Sequence, residues 1–539
     1  MYLFENAVLQ RGLLANLRML RGFVLLLFYN ALLGLIVIVA WPSDDRLDLT
    51  ANPESAIRLV NLFFLGQYIL ASLMTPSFAA GAITLEKEHK TYEMLLASPM
   101  KPAAIVFGKL LSSLTHLAIL IFASLPIVML CLPLGGVSMY EVLAAYLGLV
   151  MSVITFGMIS IACSSYFHRT AAALVVSYLA VLPLAMVAVF FWSSLAGDGF
   201  FRLLLTLTLM PTICGIICSV LFVHTSRRLL HPPDVGSEGK EVVDVEEEAQ
   251  HAVGLVIQRE QFPDKLFAPA KRTHLLADNA NPVYDKEIRS EIFSQGTLML
   301  RLVIQVSMFL AIPLMAMFLF VWPQQATWYI GYVVIFNMLV GPVFSAGTVT
   351  SERERQTLDL LLTTTITPWQ ILWGKLVAGL RVSCVLTMFL LWPVLLACLM
   401  VSLYWDNLLA VGAYLLIVLI TCLTTAMLAL FNSVIFRRTA HSMVSTYIAM
   451  IMLFCLPPAA LILATTLRLP AVETIALWGV TSPFSTAFEV PLSMDLVDDT
   501  AGTGDWRYFM GYMLFSGLLN VSLLCAMIKL FSARWRVAN

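Results

Sequence analysis

Two charged triplets interrupt long apolar sequence: Glu86-Lys87-Glu88 and Glu352-Arg353-Glu354. Each is followed by a threonine, Thr91 or Thr357, and then by leucines that include Leu95 and Leu361. Carboxylates mixed with bases suit docking with another protein; the plainer reading is an interfacial helix with snorkelling lysines. Catalytic companions are lacking. The eight histidines are scattered, and no His-Glu-x-x-His run occurs, so neither a catalytic residue nor a metal site is expected. "FGKLL" (107–111) and "WGKLV" (373–377) contain Gly108-Lys109 and Gly374-Lys375 but lack the earlier glycine and the following Ser or Thr of a P-loop. Cys214 and Cys218, one helical turn apart, read as small apolar packing.

These residues must be positioned by a membrane bundle. The chain has 539 residues, 60% hydrophobic and 12% charged, with a mean hydropathy of +0.88, outside the range of soluble domains. A spanning helix needs about 20 apolar residues. Twelve such windows lie near residues 22–42, 59–85, 110–134, 142–167, 170–195, 203–223, 302–323, 326–350, 376–402, 408–436, 439–467 and 508–528. The fold class expected is therefore all-α and polytopic. With a cytoplasmic N-terminus, only Arg46, Arg58, Arg202, Arg468 and Arg507 of the 32 basic residues fall outside the cytoplasmic side, which sets both termini inside. The first stretch ends in "AWPSDD" without a small-residue cleavage pattern and reads as a retained helix. The nine cysteines all lie in apolar spans and make no disulfide framework.

The chain repeats itself. Residues 76–110 laid over 342–376 without gaps are identical at 15 of 35 positions, including Gly81 with Gly347 and the Gly-Lys pairs. "FHRTA" (167–171) returns as "FRRTA" (436–440). The order implies two parallel six-helix halves, residues 1–230 and 281–539, joined by an acidic cytoplasmic linker, 231–280. Six spans is an even number, so both charged loops face one compartment. In the second loop Leu358, Leu361 and Leu362 recur at helical spacing, predicting an amphipathic helix of about 12 residues, roughly 18 Å long. Pro368 then stops it, and Thr367 with Gln370 forms a capping box for the next span. Gly108 and Gly374 allow a neighbouring helix to approach, as Gly81 and Gly347 could, and Lys109 and Lys375 are expected to snorkel.

At these residues the sequence resembles the permease subunits of type-2 ATP-binding-cassette exporters. "SERERQTLDLLLTTTITPWQILWGKLV" (351–377) follows the family pattern closely, and the first copy more loosely, with Lys87, His89 and Tyr92. "NPVYDKEIR" (281–289) looks like the family's amphipathic elbow; its counterpart "NAVLQRGLL" (6–14) has Gly12 where the other has Glu287. The resemblance implies that the loop between the second and third spans carries a coupling helix. Glu86, Glu88, Thr91, Leu95, Glu352, Glu354, Thr357 and Leu361 would then couple to an ATPase. It further implies two copies of a separate ABC ATPase subunit holding ATP and Mg, with no cofactor in this chain. The location implied is the inner or plasma membrane, with membrane lipid and an exported substrate as the other partners and no nucleic acid. The apolar part of the 468–507 segment resembles the family's re-entrant helices, with a surface loop as the alternative. Met-rich, aromatic spans would suit an amphipathic cargo, but any membrane bundle needs them, so the substrate and the residues lining its path stay open.

Two other readings fit parts of the pattern. A major facilitator carrier also has two six-helix halves and a central linker, but no Asp or Glu lies centrally in any span. A permease-like scaffold that binds an ATPase without transporting is the other.

Overall fold

A computed structural model describes residues 6–17, 20–40, 53–88, 90–131, 138–167, 170–194, 199–230, 281–289, 312–313, 316, 326–354, 356–400, 404–405, 407–466, 472–491 and 506–537. Among them the chain is helical throughout, and it divides into two compact units, Met1–Gly236 and Ser237–Asn539. The predicted linker 231–280 lies outside the described residues.

Unit one contains α1 (Ala7–Leu17), α2 (Leu20–Ala40), α3 (Pro53–Ala79), α4 (Gly81–Glu88), α5 (Tyr92–Leu96), α6 (Pro102–Cys131), α7 (Met139–Tyr166), α8 (Thr170–Ser194) and α9 (Gly199–Leu230). Unit two contains α10 (Pro282–Arg289), α11 (Ala326–Ser345), α12 (Thr350–Glu354), α13 (Leu358–Leu362), α14 (Pro368–Met400), α15 (Leu408–Ile435), α16 (Thr439–Met450), a π-helical turn (Ile451–Cys455), α17 (Leu456–Thr466), α18 (Val472–Trp478), α19 (Pro483–Glu489) and α20 (Trp506–Val537). Helices dominate because a chain in hydrocarbon must satisfy its backbone polar groups internally. Pro102 and Pro368 open α6 and α14, where the missing N–H costs nothing.

Ten helical segments among the described residues are long and apolar enough to cross a membrane, five in each unit. The 21-residue α2 lies where the first span is expected; the span expected at 302–323 falls almost wholly outside the described residues. Unit one is packed around Tyr29, Leu33, Phe63, Leu117, Leu120 and Ile121. A second cluster at its charged end brings Ala79, Ile83, Tyr92, Val106 and Ile161 together.

The second span of each half ends within a few residues of the expected 85 and 350: the helical segments run on to Glu88 and Glu354, so the triplets sit on the ends of membrane helices. One expectation changes. In each loop the expected amphipathic helix of about 12 residues is instead a helix of five, α5 in unit one and α13 in unit two. Lys90 and Gln356, both at φ 57°, break the chain before them in the left-handed region. Around each break Thr91 N donates to Glu86 O at 2.9 Å and Lys90 N to Lys87 O at 3.1 Å, while Thr357 N donates to Glu352 O at 2.9 Å and Gln356 N to Arg353 O at 3.0 Å. That is the Schellman pattern, which ends a helix and redirects it.

The segment after α17 is folded rather than a loose surface loop. α18 and α19 are joined by a 3-10 turn, Gly479–Thr481, and Pro483, Thr486 and Ala487 are buried. A π turn leaves backbone carbonyls without their usual donors. Here Leu453 O accepts from the Thr481 hydroxyl at 3.1 Å and Phe454 O from the Ser482 hydroxyl at 2.5 Å. The acidic tip, 492–505, lies outside the described residues.

Candidate functional site

Each residue of a charged triplet serves a different helix. In unit one Glu86 accepts from Lys109 Nζ of α6 at 2.8 Å, and its second oxygen accepts from the Thr91 hydroxyl. Lys87 Nζ donates to the carbonyls of Ser165 (2.6 Å) and Phe167 (3.0 Å), at the C-terminal end of α7. Glu88 accepts from Thr170 N at 2.8 Å and from Thr170 Oγ1 at 2.9 Å, at the first turn of α8. A cation thus sits at a helix C-terminus and an anion at a helix N-terminus, the arrangement the helix dipoles favour.

Unit two repeats the scheme. Arg353 donates to Val434 O (2.8 Å) and Phe436 O (2.5 Å), at the end of α15. Glu354 accepts from Thr439 N at 2.8 Å and Thr439 Oγ1 at 3.0 Å. It takes the place of a side-chain cap, because Arg438 at the N-cap position provides none. Glu352 accepts from Lys286 Nζ at 2.7 Å and from the Thr357 hydroxyl. The two short repeats found separately in the sequence, the triplets and "FHRTA" or "FRRTA", are therefore bonded to each other. Ser164 and Ser433 add a further tie: the Ser164 hydroxyl accepts from Ile83 N and Thr84 N, both at 3.0 Å, and Ser433 from Val349 N and Thr350 N at 3.0 and 3.1 Å.

The elbows close the junction. Asn6 Oδ1 accepts from Val8 N at 3.0 Å, capping α1, while its Nδ2 donates to Ala104 O at 2.6 Å. Asn281 does the same for α10, with Val283 N at 3.0 Å and Gln370 O at 2.7 Å. Gly108 and Gly374 are the seats of these asparagines. A Cβ at 108 would stand 2.8 Å from Asn6 Nδ2, and one at 374 would stand 3.0 Å from Tyr284 N. The fit is looser at Gly81 and Gly347, where a Cβ would stand 3.2 Å from Leu85 and 3.8 Å from Thr170 of α8, or 3.4 Å from Thr439 of α16.

The lysines after these glycines do not reach outward. Lys109 is held by Glu86, and Lys375, 1% exposed, bonds Glu287 Oε1 at 2.5 Å and Thr348 O at 2.8 Å, with Glu352 at 3.6 Å. Carboxylates within hydrogen-bond reach outweigh the pull of a membrane surface, which snorkelling would need.

The glutamates and threonines of the expected coupling set are thus engaged within their own unit. On the short helices Glu93 and Met94, the latter 75% exposed, face outward from α5 and Leu360, 69% exposed, from α13; Glu88 and Glu354 are also exposed beside their bonds to Thr170 and Thr439. Leu95 and Leu361 are half-buried behind them. Tyr92 anchors α5 in the core cluster, and burial pushes its hydroxyl pKa up against the opposing charge of Arg228. Asn6, Asn281, Ser164, Ser433 and the bases Lys87 and Arg353 were missed as functional residues. The signal for them was the agreement between the two copies, in which both elbows begin with Asn and both triplets carry a central base.

Residues 202–533 match a family model described as ABC-2 family transporter protein, and residues 39–230 match a second model of the same description. No curated protein matches the chain significantly. These family matches displace the facilitator reading.

Proposed function

Because the chain belongs to the ABC-2 family of transporter proteins, and is thus a multi-pass membrane permease that works with an ABC ATPase subunit, we propose that it is the membrane part of an ATP-driven exporter whose ATPase docks on α5 and α13. One observation carries this reading. Two five-residue helices, each preceded by a Schellman turn and each tied through its triplet to three longer helices, present an exposed apolar side chain, Met94 or Leu360. A push on such a short helix is transmitted, because Glu86, Lys87 and Glu88 link it to α6, α7 and α8, as Glu352, Arg353 and Glu354 link its counterpart to α10, α15 and α16.

In this reading Met94, Glu93 and Leu360 meet the ATPase. Glu86, Glu88, Thr91, Glu352, Glu354 and Thr357 are positioning residues that hold the docking helices, and Leu95 and Leu361 back them. Two ATPase copies, one for each helix, supply ATP and Mg. The termini and both junctions lie on the cytoplasmic side of the inner or plasma membrane, in accord with the distribution of Lys and Arg.

The test is co-purification of the chain with a co-expressed ABC ATPase subunit, followed by ATP turnover of the complex in lipid. Met94→Glu with Leu360→Glu should abolish association while the permease alone keeps its melting temperature. Normal association in that variant would remove α5 and α13 as the docking sites. Association and ATP turnover without cargo movement in sealed vesicles would favour the scaffold over the exporter.

A further inference from the structure

Unit one contains a cavity of about 90 Å3 that the charged junction does not use. It lies toward the opposite ends of the helices, between the N-terminal parts of α3, α7 and α9 and the C-terminal part of α8. Phe64, Leu65, Leu149, Val189 and Met210 line it with apolar surface. Tyr68 also lines it, with its hydroxyl buried beside Ser152. The volume suits about three groups of water or methylene size, at roughly 30 Å3 each.

The cavity adjoins a smaller pocket. The two share Asn61, Phe64, Ala145 and Trp192, and the smaller is also lined by Glu141 and Arg202. Arg202 is only 4% exposed. Its Nη1 stands 3.9 Å from Glu141 Oε1, its Nη2 donates to Trp192 O at 3.3 Å, and its guanidinium lies 4.8 Å from the Trp192 ring centre. Around this charged pair stand exposed aromatic rings: Tyr140 and Phe200, edge to face at 6.1 Å. Tyr and Trp rings gather at the headgroup level of a bilayer, a level that Tyr140 and Trp192 assign to the opposite-charge pair, beside an apolar hole on the hydrocarbon side.

We propose that unit one binds one zwitterionic phospholipid of the bilayer. A segment of one acyl chain fills the cavity, the phosphodiester lies against Arg202 and the ammonium against Glu141. The charges select the class. A purely anionic headgroup meets the Glu141 carboxylate, and a purely cationic one meets the buried guanidinium; a zwitterion is complementary to both. The site stands independently of the ATPase reading and is tested without nucleotide.

The experiment is native mass spectrometry of the full chain, stripped of lipid in detergent and then offered phosphatidylethanolamine or phosphatidylglycerol with identical chains. One phosphatidylethanolamine should be retained, about tenfold better than phosphatidylglycerol. Gly148→Leu is the cavity-filling variant. Gly148 lines the cavity, and a Cβ there meets nothing within 4 Å, so the larger side chain enters empty space without disturbing the fold. It should lower retention of phosphatidylethanolamine about tenfold, and Glu141→Gln should erase the preference for it over phosphatidylglycerol. Equal retention of the two lipids by the unaltered chain overturns the headgroup assignment, and full retention by Gly148→Leu overturns the cavity as the site. Displacement of the lipid by chain-free glycerophosphoethanolamine would overturn a bilayer source.

Discussion

The two junctions solve one problem with different materials. In unit one the elbow carries Gly12, and a Cβ there would stand 2.6 Å from Ser112 Cβ, so α1 lies directly against α6. In unit two the corresponding residue is Glu287, which instead bonds the nearly inaccessible Lys375. One junction is closed by contact, the other by charge. Among the described residues Lys109 pairs with one carboxylate, Glu86, on which Arg11 acts through space, whereas Lys375 pairs with both Glu287 and Glu352, and Lys286 with Glu352. What is common to both is the triplet's grip on α7 and α8 in unit one and on α15 and α16 in unit two. The duplicated part is the bonding of the triplet to its neighbouring helices, and the part that has diverged is the way the elbow is fastened to it.

The strongest test of this contrast is Lys375→Met. Removing one member of a buried ion network leaves Glu287 and Glu352 short of a partner, at a cost of about 3–5 kcal/mol. Lys109→Met should cost less, about 1.5–3 kcal/mol for one charged hydrogen bond at a partly exposed position. Melting temperatures of the purified chain in detergent measure both, and equal losses would break the comparison. Next is Gly12→Ala, which forces a methyl group into Ser112 and should destabilise by about 1–3 kcal/mol. Adding Ser112→Gly removes the atoms it meets and should restore most of the loss. Failure of that rescue would show that contact does not close the first junction.

A smaller effect probes what the units share. Glu88→Gln and Glu354→Gln weaken the anionic caps on α8 and α16, and each should cost about 0.5–2 kcal/mol, the range for lost N-caps, by the same amount in both units. Hydrogen exchange at the Thr170 and Thr439 amides gives the local reading. The smallest expected change is a gain. Lys90→Gly and Gln356→Gly place glycine at φ 57°, where other residues are strained by about 1–2 kcal/mol, and each should raise stability by about 1 kcal/mol. A loss instead would mean that the left-handed turn is not what separates the triplet from the short helix.

Much was legible from residue order. Apolar windows of spanning length located the helices, since a bilayer demands that length whatever the packing. The agreement between copies marked the triplets, the Gly-Lys pairs and the Thr-bearing motif, and the resemblance on those residues named the family. The direction in which the charged side chains point was not legible. Glutamates at a membrane edge read as outward-facing docking groups because spacing along one chain cannot reveal a helix end supplied by another segment. Glu88 and Thr170 come together only in the folded unit.

By itself, then, the sequence determined that this is a duplicated helical membrane protein with a charged loop in each copy, because hydrophobic length and repetition are properties of residue order alone. Only the tertiary structure decided that the loop's charges are helix caps and ion pairs, that the short helix in each loop spans five residues, and that the two elbows are fastened differently. The physical reason is that a charge is assigned its role by whichever partner lies within about 3 Å, and that distance is set by helix packing rather than by position in the chain.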